Sequence, residues 1–197
     1  FFSFYRNAFT LNYIKKDGNS PIGPDQIYPL AMHQGDYSVI AVKADSKYKT
    51  LQDLLAALKA DPSGMTVIGG GAPGATDYLN VAKVAKKAGV EIKNIKFNPY
   101  EGAGEALTAL LGGHGDVLTS DASNIKQYLQ AGRVRVLGIS SPERMTDEVM
   151  KAVPTYKEQG YDVVHINWRG VFLGKDVPEA AKKYWGEKMA ELANETR

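Results

Sequence analysis

The 197-residue sequence contains no cysteine. This excludes disulfides, thiolate metal sites and cysteine nucleophiles, and leaves the compartment open. Histidine is scarce: His33, His114 and His165 lie far apart without metal-ligand spacing, so no metal site is expected. Charge of either sign is in little excess, with 24 Lys and Arg against 22 Asp and Glu and a net +2. The basic residues are scattered, and no nucleic-acid partner is expected. No apolar run approaches the ~20 residues of a membrane span. Residues 1–6 lack a basic region ahead of an apolar one, so no signal peptide is visible. Internal repeats and low-complexity segments are missing. So is a catalytic set, because no histidine lies near a plausible strand end except His114. His114 sits in Gly112-Gly113-His114-Gly115, which reads as a solvated turn at the sheet edge opposite the site argued below. Neither catalysis nor a cofactor is expected.

Glycine is concentrated in one stretch, Gly69-Gly70-Gly71-Ala72-Pro73-Gly74-Ala75-Thr76-Asp77. A short apolar run, Met65-Thr66-Val67-Ile68, precedes it and reads as a buried strand. Residues 77–88 read as a helix with Leu79, Ala82 and Ala85 on one face, stopped by Gly89. Four glycines in six residues exceed what a tight turn needs. Such a loop lets backbone approach a ligand and points unpaired helix N–H groups at it, which suits an anion.

The chain around this loop reads as an α/β domain. Residues 1–37 are aromatic-rich but unpatterned, with turn clusters at 16–21 and 23–25 and an apolar run at 27–32. Residues 37–42 form a β-branched strand, and Thr50-Leu51-Gln52-Asp53 has the capping-box spacing that opens a helix over 51–60. A strand over 95–100 is closed by Pro99; a helix over 105–111 turns Leu107, Leu110 and Leu111 inward. The strand 116–119 ends at Ser120-Asp121-Ala122-Ser123. A helix over 123–131 buries Ile125 and either Tyr128 or Leu129, and a strand over 133–140 follows. Over 37–140 we expect the order β-α-β-α-β-α-β and a largely parallel sheet. Beyond it we expect a helical stretch at 147–152, a short helix up to Gly160, a long strand over 161–172 centred on Trp168, and a final helix from Asp176.

Ligands of such sheets bind outside the carboxyl ends of the strands. Three ends qualify: 69–77, 100–104 and 120–123. Backbone N–H groups there, with hydroxyls of Thr76, Ser120 and Ser123 and the ring of Tyr100, form one wall of a site. Asp77 reads as a cap rather than an anion ligand, whereas Asp121 stays open between a cap and a receiver for a ligand hydroxyl or ammonium group. The alternative is a dinucleotide-binding (NAD or NADP) enzyme domain, because Gly69, Gly71 and Gly74 fit Gly-x-Gly-x-x-Gly with Glu91 downstream. Glu91, however, precedes the second strand instead of ending it, and no Walker lysine follows.

In order, the runs GGGAPGATDYLNVAKVAKKAGV, NPYEGAGEALTALLGGHGDV, AGRVRVLGIS, SPER, VPTYKEQG and NWRGVF resemble the substrate-binding receptors of tripartite tricarboxylate transporters (TctC, or Bug-type periplasmic solute receptors). The resemblance covers residue 25 to the last helix. It implies a type II periplasmic-binding-protein fold, α/β and two-lobed, that closes on a small di- or tricarboxylate without chemistry. It implies delivery to membrane permease subunits, a periplasmic location and a monomer. The family's glycine-serine loop and histidine-led helix fall on Gly74, Ala75 and Tyr78, and its turn on Pro99, Tyr100, Glu101 and Gly102. With the strand-end reading and the resemblance taken together, the expected site residues are Gly71, Gly74, Ala75, Thr76, Tyr78, Tyr100, Gly102, Ser120, Asp121, Ser123 and Trp168, the last within Trp168-Arg169-Gly170. Arg169 is open between a ligand contact and a structural role. The family's opening strand and proline-alanine-glycine-glycine loop have no counterpart here. The resemblance therefore implies a fragment: 37–162 as one complete lobe, 1–36 and 163–197 as remnants of the other.

Overall fold

A computed structural model of the chain describes residues 3–6 and 23–195. The turn cluster at 16–21 and most of the aromatic-rich start lie outside the described residues. The chain divides into two compact units, Asp36–Ile166 and the pair Phe1–Gly35 with Asn167–Arg197.

The unit Asp36–Ile166 is built on the second half of strand β2 (Ile27–Lys43). After it come α1 (Leu51–Ala60), β3 (Thr66–Gly70), α2 (Thr76–Lys87), β4 (Lys96–Tyr100), α3 (Ala103–Leu111), β5 (Val117–Asp121), α4 (Ala122–Gln130) and β6 (Val134–Ile139). Each of these nine elements answers to one read from the sequence; the order β-α-β-α-β-α-β counts one strand and one helix too few. In space the strands run β6-β2-β5-β3-β4. β3 is parallel to both β4 and β5, while β2 is antiparallel to β5 and β6 and carries a bulge between Ile40 and Ala41. The sheet is thus parallel apart from β2.

Both faces are covered, which explains the unbroken apolar run of β2. Ile40 and Val42 point into a core with Leu51, Leu54, Leu55 and Leu58 of α1 and Val81, Val84 and Ala85 of α2. Val39 and Ala41 point into a second core with Ala106, Leu107 and Leu110 of α3 and Ala122 and Ile125 of α4. Each leucine so buried contributes about 2 kcal/mol of transfer free energy. The expected capping box is present: Thr50 Oγ1 accepts from Asp53 N at 3.1 Å and Asp53 Oδ2 accepts from Thr50 N at 3.0 Å.

Several local expectations are corrected. On helix α2, Ala82 and Ala85 are buried as expected, but Leu79 is only half-buried, and the buried face widens to Asn80, Val81 and Val84. Pro99 does not close β4 but lies within it, opposite Gly69. It can do so because β4 has a strand partner on one side only, where a missing N–H costs nothing. Residues 147–152 and 156–160 are turns, not helices, and 161–165 precede the last strand instead of starting it. β2 begins ten residues earlier than the strand read at 37–42.

In the other unit, β7 (Ile166–Gly174) lies between β1 (Ser3–Arg6), to which it is antiparallel, and β2. The helix α5 (Glu179–Glu195) follows. A Cβ on Gly170 would stand 3.2 Å from Ala31 O, so glycine permits this close approach. Lys182 Nζ lies 4.8 Å from the centre of the Tyr28 ring. Among the described residues no helix is long and apolar enough to cross a membrane.

Candidate functional site

Because β3, β4 and β5 are parallel, they end together, and α2, α3 and α4 all start at that end. The N-cap of α2 is Ala75 and that of α3 is Gly102, residues with no polar side chain to cap the helix. The N-cap of α4, Asp121, makes no capping bond either. α1 starts at the opposite end, because β2 runs the other way, and it alone of these four has a full capping box. By helix geometry, the first amides of α2 and α3 have no intrahelical acceptor. At α4 the protein supplies its own anion: Asp36 Oδ2 accepts from Ser123 N at 3.3 Å.

The glycine loop is shaped partly by Asp77. This side chain is not the cap of α2. It lies one residue inside the helix, and its Oδ2 accepts from Gly70 N at 2.7 Å. A Cβ on Gly69 would stand 2.9 Å from Asp77 Cβ and 3.0 Å from Thr119 O. Gly69 is therefore glycine to let Asp77 and β5 close in. Gly71 and Gly74 have φ of 79° and 91°, the left-handed region that favours glycine. Thr119 Oγ1 holds the first turn from below, donating to Asp77 O at 3.0 Å and accepting from Asn80 Nδ2 at 3.0 Å. Asn80 Nδ2 also lies 3.1 Å from the buried Tyr156 hydroxyl. Asp77 is 9% exposed. Burial, with the Asp121 carboxylate adding to it, pushes its pKa up to about 7 against the pull of the Gly70 amide.

The expected site residues fall as follows. Gly71, Gly74, Ala75 and Thr76 form the loop and helix start, but the Gly71 amide is already given to Tyr100 O at 2.8 Å. Tyr78 turns its ring edge-on to Phe97, with centroids 5.3 Å apart, and its hydroxyl donates to Ile92 O. That side chain is committed to the packing of β4. Tyr100 is half-buried against the α3–α4 core and, with Gly104, Thr108 and His114, lines a groove of about 540 Å³. His114, between the end of α3 and the start of β5, lines the far end of this groove. Gly102 faces open space, with nothing within 4 Å of where a Cβ would stand. Ser120 and Asp121 belong to β5 instead of following it. Ser120 Oγ accepts from Asn124 Nδ2 at 3.3 Å, and Asp121 Oδ1 accepts from Ser38 Oγ at 3.3 Å. Ser123 is exposed. Trp168 belongs to the other unit, tilted against Phe172, and there Arg169 Nη1 donates to Gln34 Oε1 at 2.9 Å.

Two participants were missed from sequence. Asp36 reaches α4 across 87 residues of chain, with no local signal to announce it. His165, 5% exposed, lies against the carbonyl of Thr76 through Nε2 at 3.1 Å and against Lys83 Nζ through Nδ1 at 3.0 Å. Lysine has only donors, so Nδ1 accepts and Nε2–H donates to Thr76 O. Burial first, and the Lys83 charge second, bring its pKa down to about 4. Among the described residues no group of three or more His, Asp or Glu is placed to hold a metal ion. The dinucleotide spacing finds no matching geometry: Gly69 lies inside β3 instead of in the turn, and Glu91 precedes a short 3-10 turn ahead of β4.

A family model described as "Tripartite tricarboxylate transporter family receptor" matches residues 19–188. The chain is similar to the UPF0065 protein in the tcbD-tcbE intergenic region of Pseudomonas sp. (strain P51), at 31% identity over 147 residues, 73% of this chain and 41% of that protein. It is similar to the crystal structure of a TctC solute binding protein from Polaromonas, at 29% identity and a TM-score of 0.78, covering 98% of this chain and 64% of that one. It shares its fold with MatC from Rhodopseudomonas palustris with bound malate, at 24% identity and a TM-score of 0.71, covering 87% of this chain and 58% of that one. The chain spans less than half the length of the curated relatives it matches.

Proposed function

The chain belongs to the tripartite tricarboxylate transporter receptor family, and we propose that it is the part of an extracytoplasmic receptor that holds a small di- or tricarboxylate for delivery to membrane permease subunits. The family's members and the structural neighbours are solute-binding receptors, not enzymes. The observation that carries the proposal is the pair of adjacent helix starts, α2 and α3, whose N-caps Ala75 and Gly102 leave their first amides uncapped at one end of the sheet. Uncapped amides at the positive end of a helix dipole attract a carboxylate without a cationic side chain. The open space before Gly102 gives the anion room. The malate bound by the related MatC is of the expected chemical class. The receptor works as a periplasmic monomer and does no chemistry on its ligand.

The first experiment is a thermal-shift screen of the complete protein as the cell makes it, against di- and tricarboxylates, NAD and NADP. A shift with a carboxylate and none with the nucleotides is expected. A shift with a nucleotide alone would overturn the proposal. Substitution at Gly74 is a poor probe of the loop, because its φ of 91° strains any side chain. Gly102 is the cleaner position, with φ of −156° and space around it. Gly102→Val is expected to weaken carboxylate binding at least tenfold and to leave the stability within about 0.5 kcal/mol of the native protein. Unchanged affinity would remove the α3 start from the site.

A further inference from the structure

Asp77 is out of place in a site for anions. It is nine-tenths buried, yet no cation answers it among the described residues, and the charge beside it is a second carboxylate, Asp121 of β5. Its Oδ2 is fixed on Gly70 N, and Thr119 and the missing Cβ of Gly69 fix the residue from below. Its Oδ1 takes no hydrogen bond from any described residue. Nor is it a fully enclosed unpaired atom, as Asn80 Oδ1 is, so it keeps contact with solvent. A rigid, largely dehydrated acceptor is thus held open at the end of β3. A Cβ on Gly70 would stand 3.3 Å from Asp77 Oδ2 and 3.6 Å from Ala103 N, the first residue of α3. The carboxylate of Asp77 and the start of α3 therefore flank one glycine. A ligand carboxylate at the start of α3 would lie across Gly70 from the Asp77 carboxylate.

We propose that Asp77 is the specificity-determining residue of this receptor, and that it selects carboxylates bearing a hydroxyl or ammonium group on the carbon next to a carboxylate over the unsubstituted acids. The proposal rests on the carboxylate reading above. The physical ground is asymmetric: an acid that brings a donor satisfies Oδ1, whereas one that brings only CH₂ strips water from Oδ1 and offers nothing in return. A site built to receive a ligand O–H or N–H rejects the analogue lacking it more strongly than an apolar pocket rejects a missing methylene. Neither oxygen of an ionised Asp77 can donate, so a 2-oxo acid is disfavoured as well.

The test is isothermal titration of the complete protein at pH 8, above the pKa of about 7 of Asp77, with three matched sets. These are succinate, malate and aspartate; glutarate, 2-hydroxyglutarate and glutamate; and tricarballylate and citrate. In whichever set binds, the hydroxy or amino acid is expected at least tenfold tighter than its unsubstituted parent. In Asp77→Asn the Gly70 amide still requires an oxygen, so the new NH₂ takes the place of Oδ1. The preference for the ammonium ligand is then lost, and the corresponding 2-oxo acid gains affinity. Cooperative unfolding of the variant confirms that the fold is kept. An unsubstituted acid binding as tightly as its derivatives would overturn the proposal, as would an unchanged order of affinities in Asp77→Asn. Binding of none of the acids would overturn the carboxylate reading and this inference with it, so the two failures are distinct.

Discussion

At the scale of single residues, the glycine loop shows how one composition signal hides several causes. Gly71 and Gly74 are there for their positive φ, Gly69 for the room it leaves Asp77, and Gly102 for neither reason. Gly69→Ala should therefore destabilise by about 1–3 kcal/mol through overpacking, measured by urea unfolding, whereas Gly102→Ala should not. Equal effects would sink the distinction. Two buried titratable groups, His165 and Asp77, should tilt stability in opposite directions. The native pKa of His165, about 4, lies below its ordinary 6.5. Its contribution is complete above pH 6.5 and is lost as pH falls toward 4, because the unfolded chain takes the proton more readily. The native pKa of Asp77, about 7, lies above its ordinary 3.8, so its contribution is complete below 3.8 and is lost as pH rises through 7. Urea midpoints between about pH 4 and 8 should show His165→Asn flattening the acid-side loss and Asp77→Asn flattening the loss toward neutral pH. Profiles parallel to the native protein's would contradict both assignments.

At the scale of elements, the helices differ in how they start. α1 carries its own cap in four consecutive residues, so it was legible from Thr50 and Asp53 alone. Thr50→Ala should cost about 1 kcal/mol of stability and leave ligand affinity untouched, since this helix starts at the other end of the sheet. A loss of affinity with retained stability would contradict that placement. The starts of α2 and α3 carry no such local signature, because their N-caps Ala75 and Gly102 have no polar side chain to cap the helix. On α2 the reading failed at one position for a related reason, since Ala82 and Ala85 are buried as expected and Leu79 is not. Leu79 looked like the inward residue because it is apolar, but Asn80 takes the buried place by bonding Val39 O, Thr119 and Tyr156 across the sheet. Periodicity counts apolar residues and is blind to a polar side chain whose partners are far away in sequence.

At the scale of the whole molecule, Asp36–Ile166 keeps its own sheet with a core on each face. A chain trimmed to 36–166 should therefore unfold in one cooperative urea transition. A broad, non-cooperative melt would show that its stability depends on the other unit. The order of elements in this unit was legible because each has a local cause: β-branched runs, Gly stops and one capping box. The second half of β2 was read because it is apolar on both faces. Its first half was not, because Tyr28, Met32 and Gln34 are exposed there and no alternation marks them as strand.

The sequence by itself settled the α/β class, the run of strands and helices from Val39 to Ile139, and the family resemblance, because these depend on residues close together in the chain or on their order. Only the tertiary structure decided which helix starts lie side by side, that Asp36 occupies one of them, that Tyr78 turns away to Phe97, and that Asp77 is a buried acceptor and not a cap. Those facts depend on strand direction and on contacts across 7 to 87 residues of chain. No local pattern encodes them, because the physical partner of each side chain is supplied by another element.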